Sequence, residues 1–476
     1  MNNRFYLISA DGRLAMMLVV SVMIGFSCGM LGLPPALVML LVVPSVSMLL
    51  YPEIIALGAI IASSNMQIAA ALGLCRHGLL LSPNNQALLL TQAMAYYRSK
   101  RFEEAELAIT RALEAKPSAI GYINRAGVRC NLSKFEEAEK DVNKAILIEP
   151  RQYLAFQNRA VARFGMQNYE GCLEDCRYLQ KLGKNPPVVR LLINESYLWT
   201  GRLSQVEAET TPMIGKVKAG SIEALSLALL LYYRNQFIEC LEICAQVSDA
   251  EPYACQFVHC QGFAYWALSE GELALQSATR AIMLNPLAEN GHLLRAYVYA
   301  DAGLTDQALM EIWSEPVVKS RLSIARDGEA YVHWRRGEWH EMLTAATTAV
   351  ERCPTFAFSQ ALLSLALAGV GRIDEALEVA QKATKLQPLE SFGWYSLANA
   401  YWQKEQIDEA LKSLTTAIEA NPHDRWSYGM RADLYKQVGD QVKAEKDRAH
   451  YTELQSKLMA NINPDRRPAL LPELHP

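Results

Sequence analysis

Several signatures of chemistry are missing from this sequence. No two of its ten cysteines are spaced C-x-x-C, so neither a zinc knuckle nor a thioredoxin-like pair has support. No stretch reads G-x-x-x-x-G-K-[ST], G-x-S-x-G or H-E-x-x-H. The usual phosphate cradle, nucleophile elbow and helical zinc pair are therefore absent as motifs. Neither sign of charge dominates: Lys and Arg total 46, Asp and Glu 50, for a net charge of −4. A chain with no positive excess is not built to neutralise a phosphate backbone, and no nucleic-acid partner is expected. These absences point away from an enzyme. No catalytic residue, metal, cofactor or small-molecule substrate is expected.

Charge is also missing locally. From Leu14 to Pro52 there is no Asp, Glu, Lys or Arg. Leu14 to Leu33 is long enough to cross a hydrocarbon core of about 30 Å at about 1.5 Å per residue. Pro34 and Pro35 break it. A second apolar run, Ala36 to Tyr51, contains Pro44 and reaches only about 24 Å alone. It can be extended through Ile54 to Ala62. The pattern predicts a membrane anchor over 14–64, a helical hairpin of two spans with a single span as the alternative. Arg4 and Arg13 precede the first run; Arg76, Arg98, Lys100 and Arg101 follow the second. Positive residues on both flanks favour the cytoplasmic side for both, as a hairpin requires.

Beyond the anchor, proline is periodic. Pro252, Pro286, Pro354, Pro388 and Pro422 fall at a 34-residue interval or twice that. Numbering the stretch 391–424 from 1 places Trp394 at 4, Leu397 at 7, Ala398 at 8 and Tyr401 at 11. Ala410 falls at 20, Leu414 at 24, Ala417 at 27 and Pro422 at 32. Other units share the frame: Ala93, Ala105, Ala112 and Pro117; Ala126, Ala138, Ala145 and Pro150; Gly262, Ala274, Ala281 and Pro286. Small residues at 8, 20 and 27 let two helices approach closely. Large ones at 4, 11 and 24 fill the spaces around them. Proline at 32 ends the second helix. Gly337, Gly371 and Gly439 sit in the turn between helices.

This pattern strongly resembles the tetratricopeptide repeat. The resemblance implies an all-α, right-handed superhelical solenoid of about eleven helix-turn-helix units with a concave groove. The expected organisation is a flank at 1–13, the anchor at 14–64 and a half-repeat at 65–85. The array follows at 86–460, with a proline-rich, disordered tail at 461–476. In the half-repeat, Ala71 and Gly78 take positions 20 and 27.

In such arrays positions 2, 5, 9, 12 and 13 of each first helix face the groove. Here they include Tyr232, Tyr233, Phe263, Trp266, Tyr297, Tyr331, Trp334, Arg335, Tyr395, Asn399, Trp402 and Trp426. Aromatic rings with arginine are the side chains that most often anchor protein interfaces. An apolar peptide-binding groove is the expectation. The family's clamp for a terminal carboxylate needs Lys at 5 and 13 and Asn at 9. Asn399 is at 9, but Tyr395 and Gln403 hold the other two places, so a chaperone tail is not the expected ligand.

The remaining polar clusters read as ordinary structure. His333, Glu338, His340 and Glu341 crowd one helix end and turn. Cys172/Cys176 and Cys240/Cys244 share a helix face, and Cys255, His259 and Cys260 do not converge well; all are read as packing residues of a reducing compartment. The sequon at Asn194 falls on close-packed position 8, where a glycan has no room. The function expected is a membrane-anchored scaffold, with its array expected to face the cytoplasm from a bacterial inner membrane. Its partners are proteins, and it would assemble or regulate a polysaccharide, lipopolysaccharide, pilus or secretion machine. The alternatives are an exported periplasmic chaperone on one span and a regulatory subunit of a membrane enzyme.

Overall fold

The computed structural model describes residues 55–60, 62–63, 67–210, 218–251, 253–286, 288–320, 322–460 and 462. Among them every regular element is a helix. The chain separates into two compact units, Met1–Asn158 and Arg159–Pro476, described in turn.

The first unit contains α1 (Ile68–Leu81), then the pairs α2 (Gln86–Arg98) with α3 (Phe102–Ala115) and α4 (Ala119–Asn131) with α5 (Phe135–Ile148). The helix α6 (Tyr153–Gly165) carries the chain into the second unit. Asn85 and Ser118 cap their helices, accepting from Leu88 N and Gly121 N at 3.1 and 3.3 Å. Paired acids, Glu103 with Glu104 and Glu136 with Glu137, open α3 and α5, where they complement the helix dipole. The small residues do what their spacing requires. Ala93, Ala105 and Ala112 are at most 1% exposed, so backbone meets backbone without intervening side chains.

Most of the expected anchor lies outside the described residues. The part described, 55–60 and 62–63, behaves as repeat. Ile55, Ala56 and Ala59 are buried in one cluster with Cys75 of α1 and Leu88 of α2. Ala59 stands twelve residues before Ala71, as Ala398 stands before Ala410, so it occupies position 8. The segment expected to be a half-repeat joining anchor to array thus packs against Ile55, Ala56 and Ala59, which stand in a first-helix frame. Hydropathy misleads here because a wholly buried repeat helix is as apolar as a span. No helix among the described residues is long and apolar enough to cross a membrane.

The second unit continues with α7 (Tyr169–Lys181), α8 (Pro187–Trp199), α9 (Leu203–Thr210), α10 (Ile222–Tyr233) and α11 (Phe237–Cys244). Then come α12 (Ala254–Ala267), α13 (Gly271–Leu284), α14 (Glu289–Asp301), α15 (Thr305–Ile312) and the short α16 (Glu315–Lys319). The unit ends with α17 (Ser323–Arg336), α18 (Trp339–Arg352), α19 (Ala357–Gly369), α20 (Ile373–Leu386), α21 (Ser391–Gln403), α22 (Ile407–Ala420), α23 (Arg425–Gln437) and α24 (Gln441–Met459).

A backbone signature marks the repeat more regularly than any side chain. Besides Gly183 and Gly220, left-handed residues among the described residues occur at 100, 133, 167, 201, 235, 269, 303, 337, 371, 405 and 439. These eleven periodic residues stand at position 15, one per unit, which accounts for eleven units from Gln86. At this residue the first helix stops, and the next N–H folds back onto the helix, as from Arg101 N to Tyr96 O at 2.9 Å and Asp440 N to Tyr435 O at 2.8 Å. Five of the eleven are glycine; Lys100, Ser133, Gln167, Asn235, Ser269 and Glu405 are not.

Within the second unit the solenoid winds back on itself. Thr355 Oγ1 donates to Trp199 O at 3.4 Å across 156 residues. Asn235 Nδ2 reaches Leu389 O at 2.8 Å across 154 residues. Gln455 Nε2 reaches Asp301 O at 3.1 Å, also across 154. The recurring separation is about four and a half periods of 34 residues. Turns of one coil therefore rest on the unit junctions of the next. Gly201 permits this approach, since a Cβ there would collide with the carbonyl of Leu386.

Candidate functional site: the aromatic interior

The first helices of the second unit bring their inward positions together at the centre of this coil. The rings expected to line a groove contact one another. Tyr232 lies 6.5 Å from Phe263, Phe263 6.2 Å from Tyr297, and Tyr297 5.0 Å from Tyr331. Trp266 stacks on Tyr297 at 5.1 Å. Tyr331 meets Trp334 at 5.3 Å, and Trp334 meets Tyr395 at 5.9 Å and Trp426 at 5.3 Å. Tyr233 joins through Tyr232 at 5.5 Å. Arg335 spreads its guanidinium over Trp426 at 4.1 Å, a cation–π contact. Of the twelve expected residues, only Asn399 and Trp402 stand outside this ring network. Trp402 Nε1 donates to Gln437 Oε1 at 3.1 Å, and Asn399 Oδ1 accepts from Gln403 Nε2 at 3.1 Å.

Burial divides the set. Tyr297, Tyr331 and Tyr395 are 3, 1 and 8% exposed. Tyr232, Tyr233, Phe263, Trp266, Trp334, Arg335, Asn399, Trp402 and Trp426 are partly exposed. The tightening of the coil explains this. With fewer than five units per turn, rings on facing units reach each other and fill the interior. The buried tyrosines lie within the ring network, and seven of the partly exposed side chains contact it. Burial raises the Tyr331 hydroxyl pKa well above the usual phenol value, with the Asp301 carboxylate adding to the effect.

Sequence reasoning missed the polar centre of this arrangement. Asp301, at inward position 13 of its unit, is buried. Its carboxylate accepts from Tyr331 Oη at 2.6 Å and Trp266 Nε1 at 2.7 Å, and pairs with buried Arg425. Arg335 Nε lies 3.6 Å away. A buried carboxylate so ringed by donors is satisfied and fixes the rings around it. A lone acid among inward aromatics was the available signal. Phe358 and Phe392, both at position 2, also join the network, 5.2 Å apart.

A second unforeseen feature recurs through the array. Arg at position 7 pairs with an acid at position 23 of the same unit, across the two helices. Arg125 holds Asp141 through two bonds of 2.7 Å. Arg159 holds Asp175 at 2.9 and 2.7 Å. Arg431 holds Asp447 at 2.6 and 3.0 Å, and Arg295 lies 2.5 Å from Glu311. His333 Nδ1 is 2.7 Å from Glu338 at the end of α17, and Asn194 is buried at position 8.

Comparison with known proteins agrees with the helical repeat fold. The sequence model described as tetratricopeptide repeat matches residues 76–155, 362–425 and 395–444. RNA polymerase II-associated protein 3 of Xenopus laevis is 35% identical over 91 residues, 19% of this chain and 14% of that protein. DnaJ homolog subfamily C member 7 homolog of Dictyostelium discoideum is 30% identical over 92 residues, 18% of this chain and 17% of that protein. The chain thus spans less than a fifth of the length of these relatives. A chain in the crystal structure of the APC/C hetero-tetramer Cut9-Hcn1 covers 87% of this chain and 97% of its own length at a TM-score of 0.50 and 14% identity, a likeness of fold.

Proposed function

The chain belongs to the tetratricopeptide-repeat family, and from that premise we propose that it is a membrane-anchored scaffold. It docks protein partners on the margin of its aromatic interior and helps assemble or regulate a cell-envelope machine. The observation that carries the docking surface is the division of the inward side chains. Trp334, Arg335, Asn399, Trp402 and Trp426 are partly exposed, while buried Tyr331 and Tyr395 pack against Trp334. Large, amphipathic side chains held rigidly lose little entropy on binding, which suits them as anchors. Anchoring rests on the uncharged stretch Leu14–Pro52, and the matched relatives, aligned over short repeat segments, do not bear on it.

The test compares Asn399→Ala/Trp402→Ala with an outer-face control, Lys382→Ala/Lys412→Ala, whose lysines are both exposed. Partners of the wild type are identified after purification in mild detergent, and their affinities are then measured. The groove pair should weaken the partner about thirtyfold or more, and the control should not. Equal affinity in a folded groove variant would move docking elsewhere.

One observation favours the exported alternative. Residues 55–60 pack into the repeat core, so the second apolar run cannot be extended through them and is left as Ala36–Tyr51, with Pro44 inside it. That is short for a span. A topology reporter fused after Pro476 separates the readings. Cytoplasmic activity supports the hairpin, and activity across the membrane supports one span with an exported array.

A further inference from the structure

The sequence pairs Cys255 with Cys260, but the fold sends Cys260 elsewhere. Cys240 and Cys244 stand one turn apart on α11, and Cys260 approaches them from α12. The sulfurs of Cys240 and Cys260 are 3.4 Å apart, and all three lie within 4.8 Å of one another. None of the three residues is more than 4% exposed. Among the described residues no other three metal-ligating side chains are gathered this closely. In an earlier unit Cys172 and Cys176 hold the same two positions, 20 and 24, but the counterpart of Cys260 is Leu192. The third thiol is what distinguishes this place.

Three sulfurs bound to one ion at about 2.3 Å stand roughly 3.5–4 Å apart, which the 3.4 Å pair nearly matches and the 4.8 Å limit on all three admits. The surroundings then select the ion. Leu225, Phe237, Phe257 and Ala264 pack around the thiols, and they offer no countercharge. His259, the one imidazole nearby in sequence, turns its Nε2 to Cys255 at 3.7 Å and is no fourth ligand to the cluster. Zinc with three thiolates keeps a negative charge and lacks its fourth ligand. Monovalent copper with three thiolates is more negative still. Charge without a partner is costly in an apolar core. A trivalent thiophilic element with three thiolates is neutral.

We propose that Cys240, Cys244 and Cys260 form a three-sulfur site for a trivalent thiophilic element, with arsenite as the probe. Arsenite enters as the uncharged trihydroxide. Three S–H and three As–O bonds break, three As–S and three O–H bonds form, and three waters leave. No electrons are exchanged, so no oxidant is needed. The adduct ties α11 to α12 across the unit junction.

The experiment uses the full chain in mild detergent, reduced with a phosphine and titrated with arsenite. Mass spectrometry should find one arsenic per chain replacing three hydrogens at this site, with new near-ultraviolet absorption. Cys260→Ser preserves size and should lower the affinity about a hundredfold or more by removing one of three linked attachments; Cys240→Ala should do the same, with circular dichroism confirming the fold. Cys172→Ala/Cys176→Ala should leave the three-hydrogen adduct intact. The proposal is overturned if the adduct keeps a hydroxyl, if it survives Cys260→Ser, if the phosphine-treated chain retains a Cys240–Cys260 disulfide, or if zinc or copper(I) binds these thiols while arsenite does not.

Discussion

Asn235 Nδ2 lies 2.8 Å from the carbonyl oxygen of Leu389, in the turn between α20 and α21. The same amide reaches Ala420 O at 2.9 Å. One side chain thus satisfies two carbonyls at successive unit junctions, and it does so from a left-handed backbone of φ 60°. Asparagine suits that conformation better than most residues. Two contributions can be separated. Asn235→Gly keeps the backbone and loses the bonds, costing about 1–2 kcal/mol. Asn235→Ala loses both and should cost roughly 1 kcal/mol more. Denaturant titration followed by tryptophan fluorescence would measure this. Unchanged stability in Asn235→Gly would show that the contact across the coil contributes little, and equal effects of the two variants that the left-handed backbone does.

The Arg–acid pairs make a sharper prediction. The carboxylate of Asp175 meets Arg159 and, at 3.1 Å, Arg163, and its side chain is 4% exposed. Asp175→Ala leaves two guanidinium groups in a poorly solvated gap and should cost about 3–5 kcal/mol. The array itself suggests a rescue: the unit from Ser391 has Leu397 and Ser413 at the same positions, both buried. Arg159→Leu/Asp175→Ser should recover much of the loss. Failure of the double variant to exceed the single one in a thermal melt would mean that the pair is not a replaceable link between the helices.

How far the sequence disclosed the fold can be judged from particular positions. Ala398, Ala410 and Ala417 were legible because small residues at 8, 20 and 27 are demanded by the helix approach, and each is fully buried. Ala59 was not, because an apolar helix in a core and one in a membrane share a composition. That Tyr297 and Tyr331 fall at one repeat position, 9, was also legible. Their burial was not, since it depends on how tightly the coil winds, and that is set by contacts some 154–156 residues apart. No local pattern encodes such a separation. Asp301 shows the same limit: its partners Trp266, Tyr331 and Arg425 come from three other units.

The boundary before the array is testable by truncation. Ile55, Ala56 and Ala59 cover Cys75 and Leu88. A chain lacking residues 1–51 keeps that cover, and one lacking 1–64 does not. The longer version should melt higher, and the shorter should bind more of a hydrophobic dye, because roughly 25 cal/mol is lost per Å2 of apolar surface uncovered. Identical melting would place 55–63 with the anchor after all.

Position 15 offers a stabilising change. Glu405 is exposed and left-handed at φ 60°, where a side chain costs about 1–2 kcal/mol. Gly371 and Gly439 fill the same position in neighbouring units at φ 84°. Glu405→Gly should therefore stabilise the second unit by about 0.5–1 kcal/mol, the gain being reduced by the greater freedom of glycine in the unfolded chain. Gly371→Ala should destabilise by a similar amount. A loss of stability in Glu405→Gly would mean that the turn does not hold the left-handed form in solution.

Asp327 supplies a pH dependence of unusual sign. It is fully buried on α17, accepts from Ser359 Oγ at 2.9 Å, and leaves Oδ1 without a partner. Burial pushes its pKa from 3.8 up to about 7, with the Ser359 hydrogen bond pulling the other way. The folded chain therefore holds a proton that the unfolded chain has released between about pH 4 and pH 7. Below that window the carboxyl is neutral in both states and costs nothing. Stability falls as pH rises through the window, then levels off above the folded value. Glu195 and Glu390, also raised to about 7 by burial, act in the same direction. Asp327→Asn removes one of these contributions while keeping an acceptor for Ser359. Its stability relative to wild type should improve by about 2–3 kcal/mol between pH 5 and pH 8. Urea titrations at the two pH values would measure the difference. A variant that tracks wild type at both would show that Asp327 is ionised in the fold, and its unpartnered oxygen would then have to be solvated.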